Sequence, residues 1–143
     1  MDIKALNKRI SNRLGIEELE FKFEDIKEDS LLYLKENYIG INKKYENNYL
    51  ESAKCLAHEY RHAFQIFYIN IYQNERSNDW RKDFSKLNET LSETDYIELE
   101  IELDAYAFTK YYLEKFENLS VTHPNKSYEK LIINYILRNS EIF

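Results

Sequence analysis

The stretch Leu56-Ala57-His58-Glu59-Tyr60-Arg61-His62-Ala63-Phe64-Gln65 decides how the rest of the chain is read. On a helix, residues four apart stand one turn above the other. His58 and His62 therefore present two imidazoles to one point in space. Neutral imidazole nitrogens take zinc readily, and a zinc that does chemistry needs three protein ligands and a water. Glu59 sits beside that water, where a carboxylate can accept its proton. The helix itself is predicted by spacing. Ala53, Leu56, Ala57, Tyr60, Phe64, Phe67, Tyr68 and Ile71 fall on one apolar stripe at about 100° per residue. His58, His62, Gln65 and Ile69 lie opposite, so one face is expected to meet a core and the other a metal cleft lined in part by Gln65. Arg61 faces elsewhere and is expected to pair with an acid.

The 143 residues fit one domain, read as 1–143, with enough length to bury a core. Hydrophobic residues make up 43%, with 13 tyrosines and 8 phenylalanines, which excludes a disordered chain. Only 2 glycines and 1 proline argue for long regular elements. A formal net charge of −6 offers no basic footprint for nucleic acid, so no nucleic-acid partner is expected. The single cysteine, Cys55, cannot close an intrachain disulfide, which suits a reducing compartment. It stands about one turn before His58, and burial as a small apolar residue is preferred to a role at the metal. No apolar leader follows the opening charges, and no run is long enough for a bilayer. The expectation is a soluble cytoplasmic protein without a membrane partner.

Ile3, Leu6, Ile10 and Leu14 predict a first helix, stopped near Gly15. Phe21–Glu24, Leu31–Leu34 and Tyr38–Ile41 read as short strands, with Lys35–Asn37 as a hairpin loop. The expected product is a small antiparallel sheet that covers the motif helix. Its edge strand can pair with an extended peptide. Asn42–Leu50 reads as a loop, Glu51–Gln73 as the motif helix, Asn74–Asp79 as a turn and Trp80–Leu87 as a short helix. Asn88–Glu93 reads as a connection, with Ser92 or Thr94 capping the next helix. Asp95–Glu117 reads as that helix on the spacing of Ile97, Ile101, Ala105, Phe108, Tyr112 and Phe116. Ser127–Phe143 reads as a final helix, capped by Ser127, with Tyr128, Leu131, Ile132, Tyr135 and Ile136 on its apolar side. The third metal ligand belongs on the helix before it. Glu98 and Glu102 are four apart and share a face, and spacing leaves both open.

The histidine stretch, followed by Glu102-Leu103-Asp104-Ala105-Tyr106-Ala107-Phe108, resembles the small gluzincin-type metallopeptidases. It is similar to the ImmA/IrrE-like zincins and to zincin-like proteins of phages and mobile elements. The resemblance implies a minimal zincin-like α+β fold. A small antiparallel sheet would pack on the active-site helix, joined by a glutamate-bearing helix and a C-terminal helix. It also selects Glu102, the first residue of a Glu-x-x-Ala pattern, as third ligand beside His58 and His62. Tyr106 departs from the pattern, because many relatives carry Asn or Asp there to support a ligand. The nearest acid, Asp104, lies on another side of the helix. Glu98, Asp104 and Tyr106 thus stand as candidates for an alternative ligand or for ligand support. Gluzincins often steady the developing oxyanion with a histidine or tyrosine. His123, in the loop Ser120-Val121-Thr122-His123-Pro124, is the candidate, against the commoner reading of a surface histidine.

The function so implied is that of a peptidase with one zinc per chain. Glu59 would be the catalytic base, and the substrate a protein or peptide. The resemblance to mobile-element proteins suggests a regulatory protein such as a repressor. The alternative is a catalytically inactive zincin-fold protein-binding module with a structural or vestigial zinc.

Overall fold

A computed structural model describes residues 2–87, 96 and 98–143. Asn88–Asp95 and Ile97 fall outside them, and with them the connection and the Ser92 or Thr94 cap expected there. The first helix, α1 (Ile3–Leu14), is capped by Asp2, whose carboxylate accepts the Lys4 and Ala5 N–H groups. It stops at Gly15, which takes φ +68°, a left-handed turn that glycine enters without strain. Leu6 and Ile10 are fully buried against the rest of the core.

Three strands come next in the chain: β1 (Glu20–Glu24), β2 (Ser30–Tyr33) and β3 (Tyr38–Asn42). Their order is β1-β3-β2, with β1 parallel and β2 antiparallel to β3. The sheet is therefore mixed, not antiparallel as expected. The connection from β1 to β2 crosses the end of β3, and Asn42 holds it there. The Asn42 side-chain amide donates to the Ile26 and Glu28 carbonyls, and its backbone N–H donates to Asp29 O. β3 takes the centre because Ile39, Gly40 and Ile41 are all buried, as a strand covered on both faces must be. The hairpin from β2 to β3 turns through Asn37 at φ +62°, a conformation asparagine tolerates.

The motif helix, α2 (Tyr49–Ile71), starts where Asn48 accepts the Glu51 N–H. It is the hub, touching α1, β2, β3 and the next two helices in the chain. Its burial departs from the single expected stripe. Ser52, Ala53, Cys55–Ala57, Glu59–His62 and Gln65 are all buried, whereas Phe67 and Ile71 are exposed. The first four turns are enclosed on most sides, and the last two project past the core.

Next comes α3 (Glu75–Lys86), longer than the segment expected from Trp80. The polar run expected as a turn is its first turn, stabilised by reciprocal hydrogen bonds between Asn74 and Ser77. The glutamate-bearing helix, α4 (Glu100–Phe116), begins later than expected, because Leu99 is extended. Its free N-terminus is met from α3, where the Asp83 carboxylate accepts the Ile101 N–H at 3.2 Å. The last helix, α5 (Lys126–Asn139), is capped by Asn125 instead of Ser127, and a short 3₁₀ turn, Ser140–Ile142, ends it. On α5, Tyr128, Ile132 and Tyr135 are buried, while Leu131 is exposed. Five α-helices and three strands among the described residues make an α+β fold. No described helix is long and apolar enough to cross a membrane.

Tyr60 ties α2 to the segment before β1. Its hydroxyl accepts the Leu19 N–H at 2.8 Å, in a fully buried setting. Tyr60→Phe leaves that N–H without a partner and should destabilise the fold by about 1–3 kcal/mol, measured by urea unfolding.

Candidate metal centre

α4 packs along α2 and brings Glu102 over the two histidines. Glu102 Oε1 lies 3.2 Å from His58 Nε2, and Oε2 lies 2.9 Å from His62 Nε2. The two Nε2 atoms are 3.2 Å apart. Glu102 is 2% exposed, and His62 only slightly more. Three donor atoms thus converge on one point from residues 58, 62 and 102, and together they can hold a metal ion.

The electrostatics come from that closeness. Burial opposes protonation of His62, but the Glu102 charge and hydrogen bond override it and lift its pKa to about 9. Burial alone would raise Glu102. Instead the His62 charge and the hydrogen bonds from both histidines hold it well below the usual carboxylate range.

Around this centre the expected residues separate. His62 Nδ1–H donates to Gln65 Oε1 at 2.9 Å. Gln65 is fully buried behind the histidine and does not line the cleft as expected. Glu59 is 7% exposed, and its Oε2 accepts a hydrogen bond from Ser30 Oγ at 2.7 Å. Glu98 is exposed and lies outside the converging group, because the chain reaches α4 only after Leu99. Asp104 is also outside it, fully buried and paired with Arg61, which gives the arginine its expected acid. Tyr106 lies one turn beyond Glu102 and sets its ring against His58, 4.6 Å between centroids. Burial first, then the Glu102 charge, push its phenol up to about 12. His123 packs on Tyr106 and Tyr128, behind the ring that touches His58. Its Nδ1 accepts the Asn125 N–H, and burial lowers its pKa. Cys55 lies outside the converging group, with Sγ 3.7 Å from Asp29 O, and burial pushes its thiol up to about 12.

Ser30 was not visible as a site residue in sequence. It approaches Glu59 only through the packing of β2 on α2, across 29 positions. Phe84 is a second such neighbour, with its ring 6.4 Å from that of His62. No family model, curated protein or solved structure matches the chain.

The His62–Glu102 pair predicts a pH signature in metal-free protein. A group whose pKa is raised on folding stabilises fully below its unfolded value and loses that contribution as pH rises through the folded value. For His62 the window runs from 6.5 up to about 9. Thermal stability of metal-free wild type should fall across that window relative to Glu102→Gln, in paired melts at each pH. Parallel curves would refute the pairing.

Proposed function

We propose that the chain is a zinc-dependent peptidase of gluzincin type, acting on a protein or peptide. One observation carries this reading: two imidazoles and one carboxylate converge on a point beside a second carboxylate that does not join them. Donor spacings of 2.9–3.2 Å suit the centre. Zinc bonds of roughly 2.0–2.2 Å in a tetrahedron put ligand atoms about 3.3–3.6 Å apart, so small shifts admit the ion. His58, His62 and Glu102 would hold it, leaving one position for water or substrate. Zinc so bound polarises a carbonyl and lowers the pKa of water.

The rest falls to the chain's own groups. Ser30 occupies Glu59 Oε2 and leaves Oε1 available to accept a proton from the attacking water. Glu59 would then pass that proton to the leaving amine. Among the described residues β2 is bonded to β3 along one edge, so its other edge would offer backbone groups to an extended substrate. The aromatic rings of Tyr106 and Phe84 flank the histidines and limit water at the centre. A regulatory protein as substrate, phage or mobile-element origin, and a cytoplasmic setting rest on the resemblance and composition alone.

The test has two stages. Elemental analysis should find one zinc per wild-type chain and clearly less in Glu102→Ala. Zinc-loaded wild type should then cleave a proteome-derived peptide library, read by mass spectrometry. Glu59→Gln should keep the zinc and lose about 10²-fold or more in rate. Zinc without cleavage in wild type would favour the binding module, and no zinc would remove the peptidase reading and leave an interaction protein.

A further inference from the structure

We propose that Asp104 is a positioning residue of the metal centre, acting on His62 through Gln65. The inference rests on the metal-site reading.

Asp104 is fully buried, and its two oxygens take four hydrogen bonds. Oδ2 accepts from Arg61 Nε and Gln65 Nε2, each at 2.7 Å. Oδ1 accepts from Arg61 Nη2 at 3.1 Å and from the Tyr135 hydroxyl at 2.8 Å. The carboxylate is thereby fixed by α2 and α5 as well as by its own helix.

Gln65 is where this fixation becomes directional. A side-chain amide has one accepting and one donating end, and either end can face a given neighbour. Here the donating end meets two acceptors, Asp104 Oδ2 and Ile101 O, the latter at 2.9 Å. Reversing the amide would set its oxygen against a carboxylate and a carbonyl. Gln65 Oε1 must therefore face His62, and His62 Nδ1 must carry a proton to meet it. With the proton on Nδ1, the Nε2 lone pair of the neutral ring points at the metal position. Such outer partners fix the tautomer and ring orientation of metal-bound histidines.

α4 thus holds His62 at both nitrogens. Glu102 meets Nε2 directly, and Asp104 with Ile101 O holds Nδ1 through the glutamine. His58 differs: its ring packs on Tyr106, and its hydrogen-bond partners among the described residues are at Nε2, within the centre. One imidazole is set by hydrogen bonds and the other by packing. Neutralising Arg61 accounts for half of the bonds on Asp104. It does not require the bond from Gln65, and that bond separates a positioning role from a purely structural one.

The test is zinc affinity, measured on wild type and Gln65→Met by competition between Zn²⁺ and a chromophoric chelator. The substitution keeps length and volume and removes both ends of the amide. The Arg61–Asp104–Tyr135 bonds stay in place. A folded variant, checked by cooperative melting without metal, should bind zinc about 10- to 100-fold more weakly than wild type. Equal affinity would overturn the inference and leave Asp104 as a counter-ion for Arg61. If Gln65→Met does not fold, the zinc-loaded wild type decides by NMR. The His62 Nδ1–H should resist exchange with solvent far longer than the ring N–H of His58, and equal exchange would overturn the inference. A wild type that binds no zinc would fail the metal-site reading itself, an outcome distinct from either.

Discussion

A guanidinium with no contact with water must find its counter-charge and its hydrogen-bond acceptors inside the protein. Arg61 meets that requirement on the innermost part of α2, at 0% exposure. Asp104 supplies two of its contacts and the Ile142 carbonyl a third. The rings of Phe64, Phe108 and Phe143 lie 4.5–5.2 Å from its central carbon, where a ring face attracts a cation. A buried ion pair is weak evidence of net stability, because desolvation offsets much of the attraction. Its effect here is on geometry. Only one sliding position of α4 along α2 lets the carboxylate meet the guanidinium with both oxygens.

That position also brings Glu102 to the histidines. Arg61 and His62 are adjacent on α2, and Asp104 and Glu102 are two apart on α4. Locking the first pair aligns the second. The sheet makes the corresponding alignment on the other flank, where β2 and β3 pack on α2 and set Ser30 against Glu59. The centre is thus assembled from three elements, each held in place by contacts outside it.

Much of this was legible in the sequence, unevenly. The helical spacing of Leu56, Ala57 and Tyr60 marked α2, and the paired histidines marked the face that Glu102 meets. The strands were legible from alternation, but their partners were not. Pairing depends on which strand is covered on both faces, and on β3 that takes a core over Ile39 and Ile41 on one face and the Glu24 and Tyr33 side chains over Gly40 on the other. The first turn of α3 was missed because Asn74, Ser77 and Asn78 carry no apolar signal. Its stability comes from two side chains exchanging hydrogen bonds with the backbone. Glu98 and Glu102 could not be separated by spacing because a continuous helix treats them alike. Gln65 shares the histidine face, so a cleft position was a fair expectation. Its burial depends on α4, which arrives from 36 residues away.

The late start of α4 has one more consequence. With Leu99 extended, Glu102 stands in the first turn and not in a helix interior. The backbone N–H groups of a first turn point back along the axis, and the summed peptide dipoles create a positive potential there. Asp83 answers one of them, at Ile101, from one side. Glu102 occupies the same field from the other, with its carboxylate aimed at the two histidines. A negative charge enclosed this deeply is therefore balanced from two directions, by the imidazoles ahead of it and by the end of its own helix behind it.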